Sequence, residues 1–208
     1  IFASFEVHGL KTELREWTIG EEKPRLLLAD GRVNKPDDWS RDGRFLLYRR
    51  DQRLAMSLPV EQGAKPVASG DRDFVKEQLH LSPDGTRVAY NAIRAGRSEV
   101  FVAAFPAFTG TVQVSAEGGV QPLWAADGKE LFYLASDRNL MSVQIRPGSA
   151  IDVSAPKALF RTSLVGAFWL NEYAVSRDRQ RVYVLEPLPS QQDTLHVVTR
   201  WDGGGGPG

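Results

Sequence analysis

Short apolar runs that alternate with polar residues, each closed by a turn-forming cluster, recur along the whole chain. The pairs Leu46/Tyr48, Val88/Tyr90, Leu131/Tyr133 and Val182/Val184 are spaced two residues apart, the period of a strand. Each follows a cluster of turn formers: Ser40-Arg41-Asp42-Gly43, Ser82-Pro83-Asp84-Gly85, Ala125-Ala126-Asp127-Gly128 and Ser176-Arg177-Asp178-Arg179. One large apolar residue precedes each cluster: Trp39, Leu81, Trp124 and Val175. This pattern predicts a hairpin in each of four places, with proline presetting the turn at Pro83, aspartate suiting its second position and glycine returning the chain. Further strands are predicted after the hairpins at 54–58, 100–104 and 140–144, with 14–18 in the same place. Outer strands are predicted at 25–28, 65–68, 111–115 and 157–161. Leu10, Leu14 and Trp17 have a spacing that suits one helix face over a short window, but the repeat assigns that stretch to a strand.

The turn aspartates Asp42, Asp84, Asp127 and Asp178 lie 42, 43 and 51 residues apart, and a period near 43 is the length of one propeller blade. The expected fold is therefore all-β, a β-propeller of four-stranded antiparallel blades. About five blades are present, at 1–33 (partial), 34–75, 76–118, 119–165 and 166–202, followed by a flexible glycine-rich tail at 203–208. The first blade is expected to lack its inner strand and the last its outer one, which points to a larger ring of six or more blades. The chain opens on a strand-like segment without a starting methionine, so it reads as an excerpt of a longer polypeptide.

Composition narrows the function classes. The 19 glycines and 12 prolines fall between apolar runs, which suits many short strands. Lysine plus arginine and aspartate plus glutamate both number 26, and this balance argues against a polyanionic partner such as nucleic acid. There is no cysteine, so disulfides, thiol catalysis and thiolate metal sites are excluded while the compartment stays open. No apolar run approaches the roughly 18 residues of a membrane span, and direct membrane insertion is not expected.

The motifs Trp39-Ser40-Arg41-Asp42-Gly43-Arg44, Leu81-Ser82-Pro83-Asp84-Gly85 and Trp124-Ala125-Ala126-Asp127-Gly128-Lys129 resemble the signature of TolB-like, WD-like propeller repeats. The register over 1–202 also resembles the carboxyl-terminal propeller of bacterial membrane-anchored serine/threonine kinases. That resemblance is carried by Asp38-Trp39-Ser40, by Gly128-Lys129-Glu130-Leu131-Phe132-Tyr133-Leu134 and by Val197-Val198-Thr199-Arg200-Trp201. It implies a non-enzymatic binding or sensing module within a larger bacterial protein, extracytoplasmic if a membrane helix precedes it. Two other readings stand beside it: the gating propeller of a prolyl-oligopeptidase-type peptidase, and a TolB-like periplasmic partner protein. The close of the chain in Trp201-Asp202 and a glycine run is expected to leave no hydrolase downstream. The repeats depart from the signature where Arg41 and Ala126 replace proline, and where Arg179 replaces glycine, which leaves the tightness of the last hairpin open.

The sequence holds no nucleophile elbow, phosphate loop, zinc-binding histidine pair or kinase catalytic segment. No catalytic residue, metal or cofactor is therefore assigned. His8, His80 and His196 have no second ligand at metal spacing, and Ser82 is expected to bond its own turn. The arginines at 41, 44, 49, 50 and 53, and those at 177, 179 and 181, alternate with aspartates and are expected to be solvated hairpin charge. Three residues ahead of the large apolar position stand Pro36, Gln78, Gln121 and Glu172. Equivalent inner-strand positions face one channel mouth, so Gln78, Gln121 and Glu172 are the candidate contacts for a peptide or small polar ligand. A protein or peptide partner is expected, together with missing blades from the parent chain or self-association.

Overall fold

The Ser-x-Asp clusters close as designed by their side chains. In the first, second and last of the four turns the serine Oγ accepts the amide five residues on, from Phe45, Arg87 and Arg181, at 2.9, 2.9 and 3.0 Å. It also donates to the aspartate two residues on, Asp42, Asp84 or Asp178. Each turn aspartate in turn accepts the amide two residues beyond it, from Arg44, Thr86, Lys129 and Gln180. The next position requires positive φ, supplied by Gly43 (72°), Gly85 (68°) and Gly128 (72°), and by Arg179 at 60°. The last hairpin thus keeps its tight turn without glycine, with Arg179 N donating to Ser176 O at 2.9 Å. The Arg179 guanidinium reaches Asp127 and Glu130 of the preceding repeat.

The Asp42 carboxyl is lowered from the ordinary 3.8 to about 2, first by the Ser40 hydroxyl and then by the Arg44 amide and side chain. A depressed carboxylate stabilises the fold above its ordinary value, and that contribution is lost as the pH falls from 3.8 toward 2. Ser40→Ala is expected to move the Asp42 midpoint upward in an NMR titration. A midpoint that stays put would assign the shift to Arg44 alone.

The structure, a computed structural model, describes residues 2–8, 11–68, 75–146, 148, 150–164, 166–167, 171–186 and 194–198. The expected tail at 203–208 and the closing Trp201 lie outside the described residues. All nineteen described elements are strands. The first sheet holds β1 (Phe2–His8), β2 (Lys11–Trp17) and β3 (Arg25–Leu28). The second holds β4 (Asn34–Trp39), β5 (Phe45–Arg50), β6 (Leu54–Pro59) and β7 (Val67–Ala68). The third holds β8 (Lys76–Leu81), β9 (Arg87–Arg94), β10 (Arg97–Ala104) and β11 (Thr109–Gln113). In the fourth, β12 (Gly119–Trp124), β13 (Glu130–Ala135) and β14 (Asn139–Arg146) run in order, and β14 pairs both β15 (Asp152–Val153) and β16 (Lys157–Arg161). The last holds β17 (Tyr173–Val175), β18 (Val182–Glu186) and β19 (Thr194–Val198). Every pairing is antiparallel. The stretch around Leu14 and Trp17 is strand β2, as the repeat requires.

Burial falls from the middle of each sheet outward. The second strands β5, β9 and β13 are buried on both faces along most of their length, because a neighbouring sheet covers each side. The outer strands β3, β7, β11 and β16 are exposed or half-buried throughout. One apolar cluster fills each space between sheets. Leu14 of the first sheet packs with Leu46, Tyr48 and Met56 of the second. Leu47 and Ala55 meet Leu79, Tyr90 and Phe101 of the third. Val100 and Val102 meet Trp124, Leu131 and Tyr133 of the fourth, and Phe132 and Leu134 meet Tyr173, Val182 and Val184 of the last. Sheets stacked face to face in chain order, with their first strands adjacent, form an incomplete β-propeller.

Close packing fixes Gly119 at the start of β12, where a Cβ would lie 2.8 Å from the Tyr133 ring. Two arginines expected in solvent are not there. Arg49 is 7% exposed and paired with Asp37, and Arg50 is half-buried against Asp30 and the Tyr48 hydroxyl. Their strand, β5, is covered by sheets on both sides, so Arg49 turns inward to the buried Asp37 carboxylate and Arg50 to Asp30.

Candidate functional site

The inner strands β4, β8 and β12 each carry one extra residue relative to their partners. The register shifts fall between Pro36 and Asp38, between Glu77 and His80, and between Val120 and Leu123. At the bulges Gln78 and Gln121 take φ of 49° and 56°, uncommon for residues with a side chain. Both turn toward the next inner strand. Gln78 Oε1 accepts the Gln121 amide at 2.9 Å, and Gln121 Oε1 accepts the Glu172 amide at 2.8 Å. Gln121 Nε2 donates to Glu172 Oε2 at 2.8 Å, and both glutamine Nε2 atoms donate to Ala167 O at 3.1 Å. Glu172 Oε2 also accepts the amides of Gly166 and Ala167, at 2.7 and 2.8 Å. The Tyr173 hydroxyl donates to Gln121 O at 2.6 Å.

The structure thus brings Gln78, Gln121 and Glu172 together, at 7%, 0% and 7% exposure. Their polar atoms form a relay that crosses from the third sheet to the fourth and the fifth. Buried polar groups satisfied in this way fix the register between sheets. Pro36, at the equivalent place in β4, has no amide to contribute. Among the described residues Glu172 Oε1 makes no hydrogen bond.

Two residues past each bulge stand Asp38, His80, Leu123 and Ala174. The first three border a cleft of about 200 Å³, lined also by Trp39, Arg41, Pro83 and Trp124. Asp38 Oδ2 accepts the Leu81 amide at 2.7 Å, which ties β4 to β8. His80 Nε2 lies 3.1 Å from Asn171 Nδ2, and its Nδ1 lies 4.0 Å from Asp38 Oδ2. Burial lowers the His80 pKa against the opposing pull of Asp38 and Asp37, so the ring is neutral at pH 7. An Asn171 amide donating to Nε2 places the ring proton on Nδ1, facing Asp38. The Trp124 indole N–H donates to His80 O at 3.0 Å.

The Asp38–His80–Asn171 grouping was not apparent from local sequence, since its members are 42 and 91 residues apart. The repeat register, two residues beyond the bulge, aligns Asp38 with His80 but does not find Asn171. His8 and His196 lie on β1 and β19, where side-chain placement is outside the described residues. Ser82 is buried and its hydroxyl is bound within its own turn. Among the described residues no three His, Asp or Glu side chains are grouped to hold a metal, and no helix is long and apolar enough to cross a membrane.

Among solved structures the chain is similar to putative TolB from Agrobacterium tumefaciens, at 17% identity and a TM-score of 0.66, over 92% of this chain and 67% of that one. It is similar to TolB from Acinetobacter baumannii at 15% identity and a TM-score of 0.61, over 89% of this chain and 46% of that one. An oligogalacturonate lyase in complex with manganese matches at 10% identity and a TM-score of 0.68, over 91% of this chain and 54% of that one. At such identities the likeness establishes the fold, a β-propeller. The chain spans about half the length of the Acinetobacter TolB and of the lyase. No protein-family model matches the sequence, and comparison with curated proteins gives no match.

Proposed function

We propose that this chain is a non-enzymatic binding module, an arc of a propeller that serves a larger bacterial protein by holding a protein or peptide partner at the axial end of its inner strands. The observation that carries this reading is the cleft beside β4, β8 and β12. It combines an acid, Asp38, and a neutral imidazole, His80, with the apolar Leu123 and the edges of Trp39 and Trp124. A few placed polar groups among apolar and aromatic surface suit recognition of a peptide. The polar groups there are already engaged in bonds between sheets: Asp38 with the Leu81 amide, His80 with Asn171. In the relay, Glu172 Oε1 is the atom left for a small polar ligand, and Gln78 and Gln121 hold Glu172 in place.

The larger protein, in this reading, is of the kinase type whose carboxyl-terminal propeller the register resembles, with the kinase domain outside these residues. The coding sequence upstream of Ile1 tests that part directly. The non-enzymatic part is tested by incubating the purified chain with peptide, ester, lactone, oligogalacturonate and phosphoryl-transfer substrates. No turnover is expected. Turnover that survives repurification and disappears on replacement of one polar cleft residue would overturn the proposal.

A further inference from the structure

Two kinds of contact join the inner strands from β8 onward, the forward one made twice and the backward one once. Going forward, the bulge side chain accepts the bulge amide of the next strand, as Gln78 does from Gln121 and Gln121 from Glu172. Going backward, the indole three residues past the bulge donates to the carbonyl two residues past the bulge of the preceding inner strand, as Trp124 does to His80 O. Trp39 is the equivalent of Trp124, and its preceding inner strand would belong to the first sheet. Among the described residues β1 pairs only with β2, so that sheet has no inner strand. The Trp39 Nε1 atom is shut off from water, has no hydrogen-bond partner and lies by the Gly43 turn.

Exposure along β4 agrees. Pro36 and Trp39 are half-buried where Gln78 and Leu81 in β8, and Gln121 and Trp124 in β12, are buried. At the far end of the arc, Glu172 Oε1 lacks the amide that the forward contact would supply. A buried donor without an acceptor on β4, next to a sheet whose end strand β1 has one edge unpaired among the described residues, marks a place that a strand fills.

We infer that the free edge of β1 is the docking site of one extended inner strand that pairs antiparallel with β1 and puts the carbonyl two residues past its own bulge on the Trp39 indole N–H. The occupant follows the pattern of the chain's own inner strands: a bulge residue, then three residues on a large apolar side chain, then the turn. The segments of this pattern within the 208 residues are already used in β4, β8, β12 and β17, so the strand comes from polypeptide outside them. Main-chain pairing supplies affinity, and Trp39 sets the register. The inference rests on the reading of the chain as an arc of a larger propeller. It is separable from the non-enzymatic reading, because neither turnover nor its absence bears on strand docking.

The probe is a synthetic peptide of residues 76–82, Lys-Glu-Gln-Leu-His-Leu-Ser, presented to the full chain free and also tethered ahead of Ile1 through a flexible linker, which raises its effective concentration. Amide exchange over Phe2–His8 is expected to slow while exchange over Thr194–Val198 does not. Trp39→Phe keeps the ring and removes the N–H. It is expected to leave the melting of the untethered chain unchanged and to weaken peptide binding about tenfold, the loss of one hydrogen bond. Trp124→Phe is expected to show the reverse, a less stable chain with peptide affinity retained. Unchanged exchange in β1 with the tethered strand would overturn the inference, as would equal peptide affinity for wild type and Trp39→Phe. Protection of β1 that rises with protein concentration alone and ignores Trp39→Phe would also overturn it, because a second copy would then cover the edge in another register.

Discussion

Trp124→Ala is expected to lower the stability of the chain by about 3–5 kcal/mol, the cost of truncating a buried tryptophan. The ring is 8% exposed and lies between the third and fourth sheets, against Val100, Val102, Leu131 and Tyr133. Its truncation opens a cavity between the two sheets. It also releases the part-buried His80 carbonyl from its donor, which adds to the loss. A domain of this size is stable by about 5–15 kcal/mol, so the variant approaches unfolding at ambient temperature. Arg53→Ala is the proper control, because Arg53 is exposed, and it is expected to stay within about 0.5 kcal/mol. Arg50 would be a poor one, since it pairs with half-buried Asp30 at 2.6 Å. Denaturant melts with equal midpoints for the Trp124 and Arg53 variants would show that the ring carries no interface.

The parts of this fold legible in sequence are those whose chemistry is local. A hairpin needs an aspartate to cap its turn and a residue that tolerates positive φ, so Asp42, Asp84, Asp127 and Asp178 announce the repeat. Period-two alternation then places the strands. Alignment of the repeats also singles out Gln78, Gln121 and Glu172, since they are polar residues at one register of the inner strands, three ahead of the large apolar position. Their mode of contact was not legible, because it depends on a bulge that turns the backbone to positive φ and on amides 43 and 51 residues away. The grouping of His80 with Asn171, 91 residues apart, has no local signal at all. Arg49 and Arg50 misled for a related reason: an arginine amid aspartates reads as solvated charge, and only the sheets on either side of β5 decide that it turns inward. Lys76, 2% exposed with its amine 5.6 Å from the Tyr90 ring centroid, is another cation whose burial depends on neighbours distant in sequence.

Asp37→Leu alone is expected to cost about 3–5 kcal/mol, as is Arg49→Met alone, while the two together are expected to cost little or to stabilise the chain. Asp37 sits at the β4 bulge, and its two oxygens lie 3.1 and 2.9 Å from Arg49 Nε. Both side chains are nearly buried, at 7% and 8% exposure. Burial raises the Asp37 carboxyl above the ordinary 3.8, outweighing the hydrogen bond and charge of Arg49. A carboxyl raised in this way favours folding most below 3.8, and that contribution is lost as the pH rises through its folded value. At pH 7, then, the attraction within the pair does not offset the desolvation of the carboxylate. Removing Asp37 alone is worse still, because it leaves the Arg49 guanidinium buried without a counter-charge. Removing both with apolar side chains of similar volume relieves the two desolvation penalties together. The measurement is a double-mutant cycle by urea denaturation at pH 7, in which the two single costs should greatly exceed that of the pair. Single variants that each cost under about 1 kcal/mol and add in the double would mean that the pair is solvated, in the manner of a surface salt bridge.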